Sequence, residues 1–387
     1  MLKRLLHIIF VLLLLCACGN RDAQRMLDRA EAVMSDNPSE AITILDSIGD
    51  DGLSRSQHMR LLLLLTNAQN KCDTVFRSDS IQRLLVDYYE SHGTANERML
   101  AHYLLGRAHY DMGEVPAALE NFQDAASLAD TASSECDYRL LSRIHGQTAR
   151  LFLEQEAPDN ALQEIDKISK YTKLVKDTAM WLVNEGQRAN AYYMLGNEDS
   201  LLFIYKKIHD EWRIIGNDAY ASMAQVPAVV ILLDRGEVMK AGMMLAEYES
   251  KSGAVNANHD VAKGNEIFYY IKGRYYAEAG KTDSAFMFYR KALSTCTKAD
   301  EKAAICYHLA SLYEKAGNKD SAFLYWRKSY NELDSAHVKM GTERLQRLKA
   351  MYDYNRHLKL AEAKSREAQA TRSLVWIISS SNPQPPS

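Results

Sequence analysis

Leu105-Gly106-Arg107-Ala108-His109-Tyr110-Asp111-Met112-Gly113, with Ala118, Phe122 and Ala125 after it, is repeated almost unchanged further along the chain. The second copy is Lys272-Gly273-Arg274-Tyr275-Tyr276-Ala277-Glu278-Ala279-Gly280, with Ala285, Tyr289 and Ala292 after it. In both, a glycine is followed by an aromatic residue, a second glycine, an alanine, an aromatic and a further alanine at matching offsets. That is the pattern of a helical hairpin. Gly106 and Ala118 let two helices approach closely, Phe122 fills the gap between successive hairpins, and Gly113 and Gly280 end the first helix, where a left-handed residue is cheap only for glycine.

Further copies follow with decreasing fidelity. Ala310, Tyr313, Gly317, Ala322, Trp326 and Ser329 form one, and Ala189, Tyr192, Gly196, Leu201, Tyr205 and Ile208 another. Val229, Leu232, Gly236, Ala241, Leu245 and Tyr248 fit with bulkier residues, and Ala149, Phe152, Ala161 and Ile165 fit with Glu156 in the turn-glycine place. This pattern resembles the tetratricopeptide repeat (TPR). The resemblance implies an all-α, right-handed solenoid of helical hairpins whose first helices line a concave surface. Anchor residues at 106, 149, 189, 229, 273 and 310 are 43, 40, 40, 44 and 37 apart. All exceed the roughly 34 residues of the minimal repeat, so longer helices or loops are expected.

Composition agrees. The 387 residues exceed one ordinary core, a limit that a one-dimensional array escapes. Seven prolines and 18 glycines are too few for an all-β chain, and a net charge of −3 supplies no basic field for nucleic acid. Ahead of Arg98 the pattern is degenerate but still helical. Residues 22–35 and 39–48 read as one hairpin, with Pro38 at a helix start. Residues 57–69 and 80–91 read as a second, and Leu61 to Leu65, apolar all round, is expected to be buried. The expected boundaries are a leader over 1–17, degenerate hairpins over 18–97, the repeat array over 98–333, a long helix over 334–373 and a tail over 374–387.

Met1-Leu2-Lys3-Arg4 is a basic opening, and Leu5 to Leu15 is an apolar run interrupted by His7. Leu15-Cys16-Ala17-Cys18 follows and is similar to a lipobox. The resemblance implies cleavage before Cys18, thioether lipid on its sulfur and an acyl chain (palmitate-type) on the new amine. A plain secretory signal or a short N-terminal membrane helix would also fit the run. Two or three acyl chains hold a protein firmly on a membrane, so the expected location is the bacterial cell envelope, facing the periplasm. Cys72, Cys136, Cys296 and Cys306 remain after processing, as buried thiols or as disulfides whose pairing the spacing leaves open.

At the other end, Val338, Leu345, Leu348, Tyr352 and Asn355 approximate a coiled-coil seam on one long helix, which either caps and pairs or stands solvated. Ser373-Leu374-Val375-Trp376-Ile377-Ile378 looks like the opening of a membrane helix, far short of the roughly 20 residues a span needs. Residues 1–378 as a whole resemble the membrane-associated TPR proteins of the Bacteroides group, through the lipobox, the hairpin from Ser78-Asp79-Ser80 to His92-Gly93, and the helix from Asp353-Tyr354 to Ser373. Members often continue through a membrane helix into a cytoplasmic coiled coil and sometimes a helix-turn-helix DNA-binding domain. This sequence departs from them there, which raises truncation or frameshift as an explanation and puts an inherited transcriptional role in doubt.

Motifs for nucleotide, zinc or serine-nucleophile chemistry are absent. His102 and His109, seven apart on one helix, are expected to be satisfied or exposed rather than ligating. No enzyme activity, cofactor or metal is expected. What the resemblance does imply is a groove on the first helices. Its slots carry Tyr103, Arg107, Tyr110, Arg150, Asn190, Tyr193, Tyr270, Arg274 and Tyr307, rich in the residue types that dominate binding energetics. Packed tyrosines and solvated arginines are the plainer reading of the same slots. If they do face the groove, Arg107, Arg150 and Arg274 form a shallow positive track suited to an acidic or extended peptide. The first expectation is thus a lipid-anchored scaffold that binds a protein or peptide. The alternative is the sensory half of a membrane-spanning regulator whose transmembrane and output parts are missing.

Overall fold

The computed structural model describes residues 21–49, 52–256, 258 and 260–334. The leader, Cys18, and the expected helix and tail beyond residue 334 lie outside the described residues. The chain divides into two compact units, one ending at Thr148 and the next beginning at Ala149.

In the first unit, α1 (Arg21–Val33) pairs with α2 (Pro38–Asp46), α3 (Arg55–Lys71) precedes α4 (Ser80–His92), and α5 (Ala95–Asp111) pairs with α6 (Val115–Ser127). The division between units falls inside α7 (Tyr138–Glu154). Three of the helix starts have a clear local cause. Asn37 accepts from the amide of Glu40 with Pro38 at the helix start, and Ser54-Gln57 and Thr94-Glu97 form reciprocal capping boxes. Leu27, Ala30, Ala41, Leu45, Leu61 and Leu64 form the core of the opening hairpins, and within the apolar run Leu61, Leu63 and Leu64 are buried.

The second unit holds the remainder of α7, then α8 (Pro158–Leu174), α9 (Thr178–Met194) and α10 (Glu198–Ile214). There follow α11 (Asp218–Ala224), α12 (Val226–Asp234), α13 (Val238–Lys251), α14 (Ile267–Glu278), α15 (Thr282–Thr295), α16 (Ala299–Lys315) and the helical residues 319–334. Three apolar clusters run through it, centred on Tyr205 and Trp212, on Tyr248 and Phe268, and on Tyr289 and Leu309.

The repeat register is visible atom by atom. A methyl group on Gly106 would lie 2.6 Å from two ring carbons of Phe122, and one on Gly273 would lie 2.6 Å from Cδ1 of Tyr289. These are the close approaches that the paired motif requires. Gly113 (φ 78°) and Gly280 (φ 73°) close their hairpins in the left-handed region. Glu156, which stands where the repeat has glycine, is forced into the same region at φ 56°. The long spacings arise mainly from helix length, since α3, α5, α7, α8, α9, α10 and α16 each run 17 residues.

Two features go beyond the sequence reading. The first helix of the hairpin around Val229 is broken into α11 and α12 at Gln225, because Pro227 has no amide to give the carbonyl of Met223 and its ring crowds that carbonyl. The widest spacing also holds a loop between α13 and α14, closed by an isolated antiparallel bridge from Val255 to Val261. Cys72, Cys136, Cys296 and Cys306 are all free thiols, and two of the four, Cys136 and Cys306, are buried. No described helix is long and apolar enough to cross a membrane.

Candidate functional site

The candidate slots lie on the first helices of the hairpins. In the first unit they are organised around Arg107 on α5. Its Nε donates to Asn70 Oδ1 on α3, Nη1 to Gln147 Oε1 on α7 and Nη2 to Asp111 Oδ1, each at 3.1 Å. The guanidinium also lies 4.9 Å from the ring centre of Tyr110. Asp111 in turn accepts from the Phe76 amide through Oδ2 at 2.9 Å. Three first helices are thereby tied into one hydrogen-bonded row, Asn70–Arg107–Gln147.

This revises two expectations. Arg107 is only 14% exposed in its side chain and carries Asp111 as counterion, so it is a cross-link rather than a free charge. Tyr103 is buried, its ring 5.9 Å from that of Phe122 and its hydroxyl accepting from Asn70 Nδ2 at 3.5 Å. The histidines have separate partners: His102 Nε2 meets Glu90 at 2.8 Å, while its Nδ1 is buried without one among the described residues, and His109 Nδ1 meets Glu114 at 2.6 Å.

In the second unit, Tyr193 on α9 is 60% exposed and Tyr307 on α16 is 49% exposed. Tyr307 meets Trp326 edge-on at 4.9 Å, and Trp326 is itself part of the exposed apolar surface. Between these helices, Arg274 on α14 is held by Asp234 on α12, and Tyr270 packs against Tyr289 and His308. Burial first, then the neighbouring Arg274 charge, pushes His308 down to about 4, so its imidazole is neutral at ordinary pH. Burial raises the Tyr270 hydroxyl, and burial likewise raises that of Tyr289, which is 1% exposed and whose oxygen has no hydrogen-bond partner among the described residues.

The remaining slots are mixed. Asn190 is exposed and accepts from the Tyr205 hydroxyl at 3.1 Å, and burial pushes that hydroxyl up to about 12. Arg150, 54% exposed in its side chain, pairs with Glu154 at 3.0 Å one turn along α7. The expected positive track is therefore neutralised at each of its arginines, by Asp111, Glu154 and Asp234. The reason is spacing: each arginine has a carboxylate within a helical turn or on the adjoining first helix. Sequence reasoning passed over Asn70, Gln147, Asp234 and His308. His308 adjoins the named slot Tyr307, a signal that was present, whereas the Asp234–Arg274 and Asn70–Arg107–Gln147 links join residues about 40 apart and left none. Among the described residues no group of His, Cys, Asp and Glu side chains is placed to hold a metal ion.

Residues 268–296 match the tetratricopeptide repeat family. No curated protein sequence matches the chain. Among solved structures, apo RapI is 10% identical with a TM-score of 0.63, the alignment covering 82% of this chain and 98% of that one. The apo form of the quorum sensor NprR from B. thuringiensis is 11% identical with a TM-score of 0.57, covering 81% and 99%. A Rap protein complexed with Competence and Sporulation Factor is 9% identical with a TM-score of 0.50, covering 82% and 99%. The chain thus carries a tetratricopeptide repeat at 268–296 and has the all-helical fold of TPR-like repeat proteins.

Proposed function

We propose that this chain is a non-catalytic scaffold, anchored by lipid at Cys18 on the periplasmic side of a bacterial membrane, that holds a protein or peptide partner on its first-helix faces. The observation that carries the binding role is the pair of open tyrosines on helices of the second unit, Tyr193 and Tyr307, the latter set edge-on against the exposed Trp326. Large rings with only two side-chain torsions give contact area at low entropic cost, and they are the residue type most often found to dominate an interface. The fold is shared with a Rap protein complexed with Competence and Sporulation Factor and with a quorum sensor, which supports the reading.

The test is panning of a displayed random-peptide library on the purified chain, followed by affinity measurement on an enriched peptide. Tyr193→Ala combined with Tyr307→Ala should weaken that affinity by about tenfold or more, equivalent to about 1.4 kcal/mol, with the helical signal unchanged. Failure to enrich any peptide, or full affinity in the folded double variant, overturns it. Anchoring is separable: Cys18→Ala should lose lipid label and leave the membrane fraction, and a variant that stays labelled and bound sinks that part alone.

A further inference from the structure

In the first unit a recess of about 360 Å³ opens among α1, α3, α5 and α7. Its carboxylates are all committed to the fold. Glu31 pairs with Arg60, Glu97 accepts from the Thr94 amide at 2.8 Å in the capping box, and Asp137 accepts from the Leu140 amide at 2.9 Å at the start of α7. Arg60 is equally committed, to Asp28 and Glu31.

Two other cations on the same walls are not. Lys71, at the end of α3, and Arg143, on α7, make no hydrogen bond or ion pair with any described residue. Asn67, one turn before Lys71, has its Oδ1 buried without a partner. Lys71 is partly buried. Burial first, then the Arg143 charge, lowers the proton affinity of its ammonium group, with Asp137 opposing. Two like charges in a recess, next to an unsatisfied acceptor, are unfavourable unless something else supplies the negative charge.

We infer that this recess is an oxyanion site, in which Lys71 and Arg143 take a carboxylate or phosphate group and Asn67 Oδ1 accepts an N–H or O–H of the same ligand. Arg139 stands exposed at its edge. The volume is that of a small-ligand pocket at the lower end of the usual range. An acidic side chain of a bound peptide and a free small anion present the same chemistry here. The site belongs to the first unit alone and stands whether or not the tyrosine face takes a peptide.

The experiment is thermal unfolding of the full chain at fixed ionic strength, with chloride as reference, against inorganic phosphate, acetate, Gly-Glu-Gly and Gly-Gln-Gly. Wild type should show a saturable rise in Tm with an oxyanion. A response to Gly-Glu-Gly but not Gly-Gln-Gly identifies a peptide side chain as occupant, and a response to phosphate or acetate alone identifies a free anion. Lys71→Met and Arg143→Met should each weaken the apparent affinity about tenfold or more, while melting in chloride at or above the wild-type temperature, because mutual repulsion is gone. No oxyanion response in wild type, an undiminished response in both variants, or variants that melt well below wild type in chloride would each overturn the inference. The last outcome would assign the two cations to holding the fold.

Discussion

Gly273→Ala should destabilise the second unit even though the same exchange stabilises most helices. An alanine in a helix interior gains roughly 0.5–1 kcal/mol over glycine. At Gly273, however, the new methyl would lie 2.6 Å from Cδ1, 2.8 Å from Cε1 and 2.9 Å from Cγ of Tyr289. The ring cannot step aside, because it is stacked on His308 at 5.6 Å, flanked by Tyr270 at 6.1 Å, and 1% exposed. Overpacking of such a contact costs roughly 1–3 kcal/mol, so the net change should be a loss of about 0.5–2 kcal/mol. Gly186 on α9, in the same unit, is the control. A methyl there meets nothing within 4 Å, so Gly186→Ala should keep the whole gain. Adding Tyr289→Leu to Gly273→Ala opens room for the methyl, and the double variant should fall short of the summed losses by about 1 kcal/mol. Urea unfolding followed by far-UV circular dichroism measures wild type, the three single variants (Tyr289→Leu included) and the double variant. If Gly273→Ala stabilises as much as Gly186→Ala, or the double variant is strictly additive, the assigned repeat contact is wrong.

Two further outcomes follow from the charges. Arg107→Ala strands Asp111, whose side chain is 6% exposed, and should cost about 2–3 kcal/mol, whereas Arg150→Ala should stay within about 0.5 kcal/mol, both read by denaturant midpoint. His308 titrates near 4 in the fold against an ordinary value of 6.5, so the unfolded chain takes up the proton first as pH falls. Its contribution is therefore intact above 6.5 and declines toward pH 4; wild type should lose about 2 kcal/mol between pH 7 and pH 5 relative to His308→Asn. A gap between the two proteins that is the same at both pH values would refute this.

Residues whose role is local were legible without a structure. Gly113, Gly280 and Pro38 act within a few positions of themselves, and the paired Gly106/Phe122 and Gly273/Tyr289 motifs announce a contact across a single hairpin. The break at Pro227 was legible in principle, and the repeat register around Val229 obscured it.

The sequence by itself determined an all-helical chain of hairpins, their approximate spacing and the residues at which helices touch, because short-range sterics and a repeated apolar pattern suffice for that. Only the tertiary structure decided what the first-helix slots do. The slot pattern treats Tyr103 and Tyr193 alike, yet one is buried against Phe122 and the other is 60% exposed. Arg107 and Arg274 likewise read as open charges until Asp111, Asn70, Gln147 and Asp234 are brought against them. Exposure and ion pairing depend on which side chains neighbouring helices deliver to the same place, over separations of up to 40 residues in these cases. That is a property of packing, and no periodicity within one hairpin encodes it.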